Sequence, residues 1–313
     1  MLNEIGGYFE LETYGSTPYH KNSIALNSGR SCLRYVIRTY EIKEIFAPLY
    51  TCPVVWKAIE EEKCNVNYYD IDSYFRPVDE FPKDAYVLYN DWFGVCGDNV
   101  LELSAKYPNL IVDNAQSFFA ETHGLASFYS MRKFFGLPDG GLLLCNKILD
   151  AELAIDVSYD RMYHLLKRRD LGASAGYEAF KASDRSLSDA PIKMMSRLTI
   201  SLMQNINYGL VRKRRFENYR LLSNSLNDIN ELELTAEPIC PMVYPLLSES
   251  ETLRQKLIDN KIYVAQYWDG IQQVAPLGSH AEYLRKYLIP LPIDQRYGAP
   301  EMQYIIKIIR GIH

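Results

Sequence analysis

Short apolar runs rich in β-branched and aromatic residues recur along the first half of the chain. Between them lie segments whose apolar positions return every three to four residues. The runs predict strands over 23–27, 44–49, 66–71, 85–90, 110–113, 126–130 and 141–145, and the intervening segments predict helices over 30–40, 53–63 and 98–107. Pro53 suits a first helical position, where its missing N–H has no partner to lose. Such alternation writes an α/β domain in which helices cover a mostly parallel, seven-stranded sheet. No internal repeat or low-complexity segment interrupts it.

Beyond residue 150 the pattern weakens. Gly172-Ala173-Ser174-Ala175-Gly176 and Ser183-Asp184-Arg185-Ser186-Leu187-Ser188 read as loops among short helical pieces. From 192 to 226 Gly209 is the only glycine, and Leu198, Leu202, Ile206 and Leu210 fall at near-helical spacing. One long helix with a kink at Gly209 is expected, bridging two domains. The last hundred residues then predict an edge strand over 238–245, a capped helix over 250–258, a strand over 262–268 and a closing helix over 301–310. The expected division is a large domain over 1–195, followed by the bridging helix and a smaller α+β domain over 196–313.

Composition narrows the partners more than the fold. The chain has 313 residues and is 48% hydrophobic, so it is long enough to bury a large core and a smaller one. A net charge of −5 argues against nucleic acid as a partner. Two basic runs, Lys167-Arg168-Arg169 and Arg212-Lys213-Arg214-Arg215, read as solvated helix faces. The six cysteines are scattered, without a Cys-x-x-Cys pair or a histidine at ligand spacing, so neither zinc nor a disulfide framework is expected. The amino terminus carries no basic-then-apolar signal and no run is long enough to span a bilayer, so a cytoplasmic location without a membrane partner is the expectation.

The densest chemistry lies in Leu110-Ile111-Val112-Asp113-Asn114-Ala115-Gln116 and in the following segment, with Ser127, Ser130, Lys133 and the turn Pro138-Asp139-Gly140-Gly141. A carboxylate and an amine on neighbouring loops are the two groups that a pyridoxal 5'-phosphate (PLP) enzyme requires, one for the ring nitrogen and one for the aldehyde. An apolar strand ending in Asp, a surface lysine and a plain Pro-Asp-Gly-Gly turn are the structural alternative. Upstream, the apolar run Ile24-Ala25-Leu26 passes through Asn27-Ser28-Gly29-Arg30-Ser31 into a helix. That arrangement either binds a phosphate on free backbone N–H groups or simply caps the helix.

Taken in order, Asn27 to Ser31, Pro48-Leu49-Tyr50-Thr51-Cys52, Phe93-Gly94, Val112 to Gln116, the Ser-Phe-Tyr run before Lys133 and Asp139-Gly140-Gly141 resemble the DegT-type sugar aminotransferases, which are fold-type I PLP enzymes. Arg214-Arg215-Phe216-Glu217-Asn218, Ile289-Pro290-Leu291-Pro292 and the final helix are similar to that family's carboxyl-terminal domain; 150–195 finds no counterpart. The resemblance implies that Lys133 carries the cofactor covalently, that Asp113 faces the pyridine nitrogen and that Gln116 contacts the phenolic oxygen. It further implies that Ser28, Gly29, Arg30 and Ser31 hold the phosphate together with Ser127 or Ser130. Ser130 has a Ser-x-x-Lys spacing and Ser127 the Ser-Phe-(His or Tyr) position with one extra residue, so both serines stay open.

Three positions depart from the family. Arg30 stands where threonine is common, and its guanidinium either adds a phosphate contact or points away. The aromatic that stacks on the ring falls at or beside Cys52, which leaves Tyr50 or Trp92 as substitutes. The chain is also shorter than most relatives. The implied activity is transfer of an amino group from glutamate or glutamine to a nucleotide-linked keto sugar by a homodimer with shared active sites, as in polysaccharide biosynthesis. A PLP-dependent sugar dehydratase, which has histidine in place of the lysine, and a non-catalytic relative with a regulatory or structural role are the alternatives. Tyr267-Trp268 offer faces for a sugar or a base, or are core aromatics.

Overall fold

The computed structural model describes residues 11–311 except 14, 16, 189, 235–237 and 239. Its first half builds one sheet from β1 (Ile24–Leu26), β2 (Glu44–Pro48), β3 (Asn65–Tyr69), β4 (Val87–Asn90), β5 (Leu110–Asp113), β6 (Ala126–Ser130) and β7 (Gly141–Cys145). The order across the sheet is β1-β7-β6-β5-β4-β2-β3. The four pairings from β6 through β5, β4 and β2 to β3 are parallel, and β7 runs against both its neighbours. The expected mostly parallel sheet is therefore present, strand for strand.

Alternation along the strands divides the core into two layers. Leu88, Ile111, Ala126, Phe128 and Leu143 pack beneath α1 (Gly29–Thr39) and α2 (Pro53–Glu61). Val87, Tyr89, Leu110, Val112, Tyr129 and Leu142 face the opposite layer, which includes α3 (Gly97–Lys106). Because both faces are covered, the central strands read as continuous apolar runs; all four residues of β4 and of β5 are buried. Gly141 fixes the spacing between β7 and α1. A Cβ there would lie 2.5 Å from the Ser28 carbonyl group and 2.8 Å from Cys32 Sγ.

The segment from 150 to 226 differs from the pattern reading. Residues 172–176 and 183–188, expected as loops, belong almost entirely to a helical hairpin of α4 (Tyr163–Leu171) and α5 (Ala173–Ser188) that turns at Gly172. Glycine fits there because its φ is +88°. The expected single helix over 192–226 is two, α6 (Arg197–Met203) and α7 (Tyr208–Leu226). Each begins at a side-chain cap: Ser196 Oγ accepts the Thr199 N–H at 3.1 Å, and Asn207 Oδ1 accepts the Leu210 N–H at 3.0 Å. The break thus lies at 204–207 rather than at Gly209, which sits in the first turn of α7.

A second sheet pairs β8 (Val243–Leu247) with β9 (Leu288–Pro292), antiparallel, and packs on α7, α8 (Leu253–Asp259) and α10 (Ala299–Arg310). Helix α9 (His280–Tyr287) precedes β9. The strand expected over 238–245 forms only from Val243, and residue 239 lies outside the described residues. The helix expected from Ser250 starts at Leu253 without a side-chain cap bond. Segment 262–268, whose alternation predicts a strand, has no strand partner among the described residues. Tyr267 and Trp268 are drawn onto Phe93 and Tyr50, while Arg254 takes the carbonyl of Ala265. No helix of the described residues is long and apolar enough to cross a membrane.

Candidate functional site

The parallel register sets Asn90 beside Asp113, and Asp113 beside Phe128, at the carboxyl edge of the sheet. Open α/β sheets bind ligands at this edge, because the strand ends and helix amino termini leave polar backbone there. Past β6 the chain makes one 3-10 turn, Met131–Lys133, and β7 returns it to the sheet. A cleft of about 940 Å³ opens over the edge. Ser28, Gly29, Arg30, Cys52, Asp113, Gln116, Ser130 and Lys133 all border it. Ser31, Tyr50, Trp92 and Ser127 do not.

Each of those four has a physical reason to be elsewhere. Ser31 Oγ turns inward and donates to Asn27 Oδ1 at 2.6 Å. Tyr50 and Trp92 are fully buried; the Trp92 indole donates to the Tyr50 carbonyl at 2.8 Å and its ring stacks on Phe75. Neither aromatic borders the cleft, whereas Cys52 does. Ser127 shares the face of Tyr129, where its hydroxyl takes the His123 N–H at 3.0 Å and donates to the His123 carbonyl at 2.8 Å. Ser130 follows Phe128 on the other face and stands 3.7 Å from where a Cβ on Gly29 would lie. The period of two along β6 thus places Ser130, not Ser127, at the cleft.

The helix end and the acid define two poles. Ser28 caps α1, its Oγ accepting the Ser31 N–H at 3.1 Å, so the first-turn N–H groups of Gly29 and Arg30 lie at the cleft with the positive end of the helix dipole. The Arg30 guanidinium points away and donates to the Ser188 carbonyl at the end of α5, at 2.6 Å. At the other pole Asp113 is buried, with Oδ1 accepting the Ala115 N–H at 2.8 Å. Burial raises its carboxyl above the usual carboxylate range, against the opposing pull of the Lys133 ammonium and of that N–H. The same ammonium opposes the upward push of burial on the Cys52 thiol. Lys133 therefore acts electrostatically on both walls of the cleft, whereas its neighbour Arg132 turns to Asp184 at 3.1 Å.

Gln116 is held in one orientation. Its Oε1 accepts the Phe93 N–H at 3.0 Å, and its Nε2 is buried without a partner in the protein. Asn90 Oδ1 is likewise buried and unpartnered, while its Nδ2 donates to Thr51 Oγ1 at 2.8 Å. Asn90, Asp91 and Thr51 border the cleft and were not expected there. Polar residues ending the apolar β4 run at the same edge as Asp113 were the available signal. Burial pushes the Asp91 carboxyl up to about 6.

The other surprises are cationic. Arg168 and Arg169 are exposed on α4, as expected of a solvated face, and also border the cleft, whereas Arg215, from the second basic run, is buried beneath it. Tyr267 and Trp268, half-buried against the core, present their remaining surface to the cleft. Asp139 lies behind it, fully buried, accepting the Ser196 N–H and the hydroxyls of Ser196 and Thr199, so that its turn anchors α6. Together the walls present the amino terminus of α1, a buried carboxylate and a primary amine.

No family model and no curated protein matches the chain. Solved structures do. The chain is similar to a DegT DnrJ EryC1 StrS aminotransferase from Brucella abortus, with 18% identity, a TM-score of 0.63 and coverage of 93% of this chain and 86% of that one. It is similar to the putative sugar aminotransferase Spr1654 from Streptococcus pneumoniae in its apo form, with 13% identity, a TM-score of 0.66 and coverage of 93% and 85%. The E. coli GDP-4-keto-6-deoxy-D-mannose-3-dehydratase with bound hydrated PLP matches with 15% identity, a TM-score of 0.63 and coverage of 92% and 87%. At these identities the likeness is one of fold.

Proposed function

We propose that the chain is a PLP-dependent aminotransferase that moves an amino group from glutamate or glutamine to a keto sugar carried on a nucleotide. The observation that carries this reading is the meeting of Lys133 and Asp113 at one cleft, beyond the ends of neighbouring strands. The residues fit the cofactor: the buried Gln116 Nε2 lacks an acceptor, and the phenolic oxygen is one. The α1 amino terminus and Ser130 suit the phosphate, Asp113 the pyridine nitrogen, and Lys133 the aldehyde, which it holds covalently. Bound there, PLP supplies an electron sink for the electrons left when a proton leaves the donor Cα.

The protein's own groups do the remaining work. Asp113, ionised beside the pyridinium, keeps that ring protonated. Lys133, once its amine is freed by the donor's, would take the proton from the donor Cα and release it two atoms away, across the intervening nitrogen. Gln116 orients the ring through an amide that Phe93 has already locked. Arg168 and Arg169 have no ion pair among the described residues and face the cleft, which suits an acceptor carrying a diphosphate. In this reading residues 1–195 bind the cofactor and residues 196–313 close the site from the other side, in a cytoplasmic enzyme.

PLP and pyridoxamine phosphate forms of Spr1654 and the PLP-bound dehydratase among the similar structures support the cofactor. Lys133 stands against the dehydratase reading. The expected result is a visible absorption band on adding PLP that is absent from Lys133→Ala, and consumption of added pyridoxamine 5'-phosphate by some member of a panel of nucleotide keto sugars. A protein that takes up no PLP sinks the reading.

A further inference from the structure

Arg215, on α7, is 1% exposed, and its guanidinium has no ion pair among the described residues. The nearby Asp294 carboxylate is taken by Nε and Nη2 of Arg296, at 2.6 and 2.8 Å. Burying a guanidinium is unfavourable unless every N–H is answered. Here a neutral acceptor answers each of its three nitrogens. Nη1 donates to the Met242 carbonyl at 2.9 Å, Nε to Gln295 Oε1 at 3.0 Å, and Nη2 reaches the Phe134 carbonyl at 3.4 Å. Gln295 Nε2 donates to that same carbonyl at 2.8 Å, and the guanidinium lies 4.4 Å from the centre of the Phe134 ring.

The Phe134 carbonyl is one residue past Lys133. Its two donors come from α7 and from the loop after β9, both in the carboxyl-terminal part of the chain. The contacts continue to the opposite wall: the Met242 N–H donates to the Phe93 carbonyl at 2.7 Å, and the Phe93 N–H to Gln116 Oε1 at 3.0 Å. A continuous run of contacts therefore joins the backbone that carries Lys133 to the amide of Gln116, by way of Arg215.

We propose that Arg215 and Gln295 are positioning residues for Lys133: they clamp the Phe134 carbonyl and so set where the amine stands relative to Asp113 and Gln116. Neither touches the reacting atoms. The proposal rests on the aminotransferase reading for its consequence in catalysis, but the placement of the amine is a property of the protein alone. A planar fork gripping a carbonyl and covering a ring is something that lysine, with the same charge, does not reproduce.

The test uses the full chain with Gln295→Ala and Arg215→Lys, and two readouts. The first needs no cofactor: competitive labelling of Lys133 by acetic anhydride across pH, followed by mass spectrometry. The clamp predicts at least a threefold change in Lys133 labelling rate in Gln295→Ala, with other lysines unchanged. The second is the pH midpoint of the visible band of PLP-loaded protein, together with kcat and KM for the donor. The expected result is a displaced midpoint and a kcat at least tenfold lower with KM within twofold. Should Arg215→Lys fail to fold, Gln295→Ala decides alone. Wild-type labelling of Lys133 in a folded Gln295→Ala overturns the clamp, whether or not PLP binds. Altered labelling in a protein that takes up no PLP keeps the clamp and removes the aminotransferase reading.

Discussion

Asp91 shows how a single side chain links the cleft to the stability of the chain. Its carboxyl is buried, accepts the Cys96 N–H at 2.9 Å and titrates near 6, above its ordinary 3.8, because burial disfavours the charged form. The unfolded chain therefore loses this proton at lower pH than the folded one. The stabilising contribution is complete below about pH 4 and is lost as pH rises through about 6, with a full span of roughly 3 kcal/mol. In urea unfolding between pH 4 and 7.5, Asp91→Asn should remove that part of the pH dependence; an unchanged profile would falsify the assignment. Nothing in the residue's type distinguishes Asp91 from Asp113, and only the first was unexpected. An apolar run ending in Asn-Asp marks a sheet edge, but how deeply that edge is buried depends on segments packed from elsewhere.

Among the elements, capping residues decided what periodicity left ambiguous. Leu198, Leu202, Ile206 and Leu210 continue one helical stripe, yet Ser196 and Asn207 each supply a side-chain oxygen to a first-turn N–H and so start two helices. Ser196 has a second task, since its N–H and hydroxyl also hold the buried Asp139 that ends the Lys133 loop. Ser196→Ala should lower stability by about 1–2 kcal/mol, the range for a lost cap with a buried acceptor left short of a donor. Thermal or urea unfolding checks this, and a shift below about 0.3 kcal/mol would show the cap to be dispensable, well under the usual cap range. The hairpin of α4 and α5 escaped the pattern reading for the opposite reason. Its serines and glycines resemble loop composition, and the two helices persist because they pack on one another and on the cleft.

In the whole molecule, the α4–α5 hairpin and the 3-10 turn leading to it (Tyr159–Met162) leave several large apolar side chains uncovered. Tyr159, Tyr163, Leu166, Leu171 and Tyr177 are each more than half exposed. Single exposed apolar residues are ordinary, but five large ones carried by one turn and one hairpin suit a contact surface. We expect a second copy of the chain to cover it. Sedimentation at working concentration should give a dimer, and Leu166→Asp should shift it toward monomer; a wild-type monomer with full activity would sink the expectation.

Local physics was sufficient for much of this. The run lengths of apolar residues determined seven strands and their order in the chain, and Ser28 and Pro53 were recognisable because caps and helix starts depend on near neighbours. Lys133 and Asp113 stood out because their chemistry is rare in combination. What only the tertiary structure decided were relations between distant segments: Ser130 rather than Ser127 at the cleft, Arg168 and Arg169 on its wall, Tyr50 and Trp92 withdrawn into the core. Burial is set by whatever packs from the other side, and a sequence window holds no record of it. Arg215 is the sharpest case, since only the meeting of α7, β9 and the Lys133 loop turns a basic run into a buried fork.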